Sequence, residues 1–151
     1  MKRLMVFVLV LLVAMLSACA SPASTNTAST ADASLIVSAG DTSKAYTPAD
    51  LEALPSTQSI FNDVTYVGVS VSTLLQDAGI NLDEVKAVKA VAADGYSVNY
   101  DASQVFAPEV IVAYAQAGGA LTADDGAFRM VLPGAEGKLN VRMLTELQVI
   151  K

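Results

Sequence analysis

The chain has 151 residues, with nine Lys/Arg against fifteen Asp/Glu, no histidine and one cysteine, Cys19. These absences exclude Ser-His-Asp and Cys-His nucleophilic catalysis, His- or multi-Cys-ligated zinc, and disulfide redox chemistry. A net charge of −6 without any basic run excludes nucleic acid as a partner. Carboxylates remain, but no run of spaced Asp and Asn around a central Gly forms an EF-hand loop.

Met1-Lys2-Arg3, an unbroken apolar run from Leu4 to Leu16, and the small residues Ser17 and Ala18 make the three parts of a secretory signal over residues 1–18. The run spans ~20 Å as a helix, short of the ~30 Å hydrocarbon core, so it is read as a removed leader and not as a membrane span. Leu16-Ser17-Ala18-Cys19 resembles the lipobox of bacterial lipoproteins, which implies acylation of the Cys19 thiol and cleavage just before it. Two or three acyl chains would anchor stably where one would not. Ala20 to Ala33 is almost all Ser, Thr, Ala and Asn, so residues 19–33 are expected to form a tether with a reach of ~20 Å. Loss of residues 1–18 leaves seven Lys/Arg against fifteen Asp/Glu, a formal charge near −8. That charge disfavours adsorption to anionic lipid, which leaves the acyl group as the anchor. The expected location is the extracytoplasmic side of a bacterial membrane, periplasmic or at the cell surface.

Residues 34–151 are expected to form one domain that can bury a core without disulfides. Leu35 to Ser38 reads as a strand. Thr47-Pro48-Ala49-Asp50 starts a helix, with Thr47 as cap and Pro48 at the first helical position, and Pro55 stops it. Gln58 to Phe61 and Thr65 to Val67 read as extended, and Val71 to Ala78 as a helix ended by Gly79. Val85 to Ala92 is open between strand and helix, because Val85, Val88 and Val91 recur every three residues. The Asp94-Gly95 turn into alternating Tyr96 to Tyr100 favours a strand. Val110 to Tyr114, Phe128 to Leu132 and Leu147 to Ile150 read as further strands, with a turn at Gly118-Gly119. The expected class is α+β, mainly β with two short early helices and no internal repeat.

Several strings in this order resemble the molybdopterin-binding domain of the sulfite oxidase family. They are Thr47-Pro48-Ala49-Asp50-Leu51, Gly68-Val69-Ser70, Ala93-Asp94-Gly95-Tyr96, Asp125-Gly126-Ala127-Phe128-Arg129, Val131-Leu132-Pro133-Gly134 and Val141-Arg142. The resemblance implies that fold over Tyr46 to Lys151. It also implies a molybdenum ion held by a pterin dithiolene and one protein cysteine, which falls within Ser56 to Val67. That stretch has no cysteine here, only hard oxygens such as Ser59 and Asp63. The resemblance further places Arg129 at a family arginine and Arg142 where relatives carry a lysine, with Lys138 beside Gly137.

Arg129, Lys138 and Arg142 are therefore candidate anion- or cofactor-binding residues, and for Arg129 an ion pair with Asp94, Asp124 or Asp125 is the alternative. Tyr96 and Tyr114 are candidate pocket walls, with core packing as their alternative. No metal ligand or catalytic residue is assigned, and molybdopterin lacks its protein thiolate. The expectation is a lipid-tethered, noncatalytic domain that binds a small anionic ligand or an envelope protein. The alternative is a molybdopterin-dependent oxidoreductase with an atypical metal site.

Overall fold

β1 (Leu35–Ala39) alternates buried and more exposed side chains, and Gly40, at a φ of 59°, turns the chain back into β2 (Thr42–Tyr46). The computed structural model that shows this describes residues 32–151; residues 1–18 and nearly all of 19–33, Cys19 included, lie outside it. Among the described residues no helix is long and apolar enough to cross a membrane.

Helix α1 (Pro48–Glu52) is set by its first turn. Thr47 Oγ1 accepts from the Asp50 amide at 3.3 Å, and the Asp50 carboxylate accepts from the Thr47 amide at 2.8 Å. The two groups satisfy each other's otherwise unpaired donors. β3 (Thr57–Phe61) and β4 (Val64–Ser70) form a hairpin across Asn62 and Asp63, with φ values of 50° and 62°. A two-residue loop with both φ positive matches the twist of the flanking strands, and Asn and Asp tolerate it. Ser70 Oγ caps α2 (Val71–Asp77) through the Thr73 amide at 3.2 Å, and Gly79 follows at a φ of 78°. A 3₁₀ turn over Leu82–Glu84 leads to β5 (Ala87–Ala92), β6 (Ser97–Asp101) and α3 (Ala102–Val105). The chain closes with β7 (Ile111–Gln116), β8 (Gly119–Ala120), β9 (Arg129–Val131), a second 3₁₀ turn over Gly137–Leu139, and β10 (Leu144–Ile150).

Two sheets result. The first runs β2-β1-β10-β5-β6, with β1 and β10 parallel and the other pairs antiparallel. The second runs β3-β4-β7-β8, with β9 also on β7. The main core joins Leu35, Val37, Val88, Ala90 and Leu147 of the first sheet to Val69, Val112 and Met130 of the second. Leu51, Leu74, Leu75 and Val105 from the helices complete it. Along β7 the side chains alternate, as a period of two requires. Val112 enters this core, while Ile111 and Ala113 turn to the other face and meet Tyr66 and Val131 in a second, smaller cluster. Both faces of β7 are therefore buried from Ile111 to Ala113. Gly68 makes the approach of β4 to β7 feasible at a bulge, since a Cβ there would fall on the carbonyl oxygen of Val112.

The expected mainly β, α+β architecture is the one observed. Some elements differ in detail. β2 was not expected, because Thr42 to Ala45 are all exposed and carry no apolar alternation. α3 is only four residues, and two-residue β8 is too short to leave a pattern; the tight turn before it is Ala117-Gly118. β10 starts at Leu144, three residues before the expected Leu147. The Val85 to Ala92 stretch is a strand from Ala87, with Val88, Ala90 and Ala92 inward, so the three-residue recurrence of valine is not helical.

Candidate functional site

Arg129 is the largest fully buried side chain, 2% exposed. Its register explains why: Arg129 pairs with Ala113, so it points from β9 to the same face as Tyr66 and Val131. There its guanidinium lies 4.5 Å from the Tyr66 ring centroid and 5.7 Å from that of Phe61, an arrangement that favours a cation over an aromatic face. Nη1 donates to Asp125 Oδ1 at 2.6 Å and to Tyr66 Oη at 2.8 Å. Asp125 is buried as well, at 4% exposure, and its other oxygen accepts from Thr122 Oγ1 at 2.9 Å. A buried charge needs such a partner and saturated hydrogen bonds. Its Nε is buried without a partner.

The Asp125 turn and the segment entering β10 are built together. The Met143 amide donates to Asp125 O at 2.8 Å. Gly126, at a φ of 73°, allows the contact, since a Cβ there would stand 2.9 Å from Met143 Cα. Buried Asn140 accepts from the Leu132 amide at 2.7 Å and donates to Glu136 O at 3.2 Å. Tyr96 Oη donates to Lys138 O at 2.8 Å, and Tyr100 Oη to Leu139 O at 2.6 Å. Burial pushes the Tyr100 hydroxyl pKa above its ordinary value, so it stays a donor. These bonds pin residues 136–143 over the β5–β6 turn.

Between them lies a cavity of about 590 Å³. Arg129, Lys138, Arg142 and Tyr96 all line it, with Phe61, Asn62, Asp94, Asp124 and Met143 among the other wall residues. Tyr114 does not line it. It neighbours Ala113 on β7, so by alternation it turns to the opposite face and packs against the main core. Each cation has an acidic neighbour: Lys138 is 2.6 Å from Glu136, and Arg142 Nε is 3.5 Å from Asp125. Of the three carboxylates considered for Arg129, the partner is Asp125. Phe61, Tyr66, Asn140 and Met143 are site residues the sequence reading did not single out. Only the Asn62-Asp63 turn signal, which brings Phe61 and Tyr66 into facing strands, could have pointed to two of them.

The family model described as the oxidoreductase molybdopterin binding domain matches residues 26–151. The chain belongs to this family. Among solved structures, the sulfane dehydrogenase SoxCD from Paracoccus pantotrophus is similar, with a TM-score of 0.69 and 24% identity over 80% of this chain. That likeness is one of fold, and this chain spans only 39% of the length of that one. No curated protein matches it.

Within this molybdopterin binding domain family, the stretch implied to carry the metal's cysteine is here the tight β3–β4 hairpin. Its tip supplies Phe61 and Asn62 to the cavity. Ser59 is buried with its hydroxyl unpartnered, and Asp63 sits exposed on the turn, outside the cavity wall. Among the described residues no three His, Cys, Asp or Glu side chains converge to hold a metal. The donor set offers hard, dispersed oxygens where a soft thiolate is needed, so these residues do not fit the metal-bearing group.

Proposed function

We propose that this protein is an exported lipoprotein, anchored through Cys19, whose molybdopterin-binding-type domain is a noncatalytic binding module at the cell envelope. The observation that carries the reading is the β3–β4 hairpin. Its two-residue Asn62-Asp63 turn closes the segment in which the resemblance places the cysteine, and no side chain there supplies a thiolate. The family arginine supports it: Arg129 is held by Asp125 at 2.6 Å. Fold alone does not carry activity, which depends on the groups at the site. What the cavity retains is binding chemistry, with cationic and acidic side chains beside aromatic walls.

Expressed as the full chain in a molybdopterin-competent host, the protein should purify without molybdenum; one metal per chain would overturn the noncatalytic reading and establish an oxidoreductase with an atypical site. The anchor is tested separately. Cys19→Ala should release the protein from the membrane fraction and abolish labelling by a radioactive fatty acid, and continued labelling would contradict it.

A further inference from the structure

The strand order fixes where the cavity lies relative to the point at which the proposed tether enters. β10 runs parallel to β1, with Ile36 opposite Glu146, so Leu35 lies at the end of the sheet where β10 begins. Leu144 pairs with Ala92 at that same end, and Ala92, Asp94, Tyr96, Arg142 and Met143 line the cavity. At ~4.8 Å between neighbouring strands, Leu35 is roughly 10 Å from Ala92, two strands away. Ile150 and Lys151 are at the opposite end, ~20 Å off along seven residues of strand. The proposed tether therefore joins the domain at its cavity end, and a reach of ~20 Å keeps that end within range of the bilayer surface.

The charges select what the bilayer can offer. A domain carrying seven Lys/Arg against fifteen Asp/Glu is repelled by an anionic surface, so a net anionic headgroup is disfavoured. The cavity wall itself carries both signs. Lys138 and Arg142 are cations with side chains 68% and 59% exposed, and Asp94 and Asp124 are carboxylates in the same wall. Tyr96 and Met143, 45% and 44% exposed, add large apolar surface at the wall, and tyrosine suits a bilayer interface because it is apolar along the ring and polar at its tip.

We propose that the cavity holds a zwitterionic phospholipid headgroup, with its phosphate at Lys138 and Arg142 and its ammonium at Asp94 and Asp124. The membrane orientation rests on the lipid anchor proposed above, whereas the chemistry of the cavity does not.

Calorimetric titration of the detergent-purified full chain tests the cavity. Glycerophosphoethanolamine should bind at least tenfold more tightly than inorganic phosphate, and Lys138→Ala with Arg142→Ala should weaken it at least tenfold. Both side chains are exposed, so an unchanged melting curve is expected. Equal binding of inorganic phosphate would reduce the site to a plain anion site and overturn the proposal, as would no binding of either. Tighter binding of phosphoethanolamine than of the glycerol diester would assign a soluble zwitterion instead of a lipid. Orientation is read on vesicles of phosphatidylethanolamine and phosphatidylglycerol containing a headgroup-nitroxide lipid. A fluorophore on Ser97→Cys should be quenched more than one on Lys151→Cys, and equal or reversed quenching would overturn the orientation. A chain that does not associate with vesicles would sink the anchor, while the titration still decides the cavity.

Discussion

Lys44–Asp77 and Arg129–Asp125 are ion pairs of nearly equal length, 2.7 and 2.6 Å, in opposite surroundings. The side chains of the first are 47% and 31% exposed, and those of the second 2% and 5%. Each also takes a tyrosine hydroxyl, Tyr46 on Asp77 at 2.7 Å and Tyr66 beside Arg129 at 2.8 Å. In the first, water screens the charges, and the pair ties edge strand β2 to the end of α2. In the second, the carboxylate takes over the solvation that the guanidinium lost on burial. Distance alone does not say what an ion pair does; burial sets whether losing one partner is minor or severe.

The largest predicted effect follows from that contrast. Asp125→Ala strands a buried guanidinium and should cost about 3–5 kcal/mol, read from urea unfolding. Replacing the pair together, Arg129→Met with Asp125→Leu, should recover most of the loss, because neither charge is then left alone. Next is Thr47→Ala, which removes the cap of α1 beside the exposed pair and should cost about 1 kcal/mol. Smallest is Lys44→Ala, at less than about 1 kcal/mol and shrinking with added salt.

Acid should act on the exposed pair and its neighbours. The Lys44 ammonium, then the Tyr46 hydroxyl, hold the Asp77 carboxyl below its ordinary value. Hydrogen bonds from the Thr47 amide and then its hydroxyl lower Asp50, and Lys151 lowers Glu84. A folded pKa below the unfolded one gives stability that is present above the unfolded value, about 4, and lost as pH falls through the folded value. The urea midpoint should therefore drop below about pH 4, and Asp77→Asn should flatten part of that slope; an unaltered slope would remove Asp77 from this role.

What could be read from the sequence was local. Thr47, Pro48 and Asp50 lie within four residues, and their capping pattern was legible because the bonds close within one turn. The Asp94-Gly95 turn was legible for the same reason. β2 was not, since an exposed edge strand has no apolar face to leave a pattern. Of the site, Arg129, Lys138, Arg142 and Tyr96 were named and share one cavity, but the surroundings of Arg129 were hidden. Tyr66 is 63 residues away in sequence, and only the pairing of β3, β4, β7 and β9 brings the two together. Tyr114 shows the same limit in reverse: an aromatic in a strand reads alike on either face, and register turned it away from the cavity, half-buried against the main core.

The account rests on Arg129 being held by the fold through Asp125, and a double-mutant cycle on that pair, run beside one on Lys44 and Asp77, tests this most directly. The account predicts a coupling of at least about 3 kcal/mol for Arg129–Asp125 against less than about 1 kcal/mol for the exposed pair. Equal couplings at the two sites would contradict it.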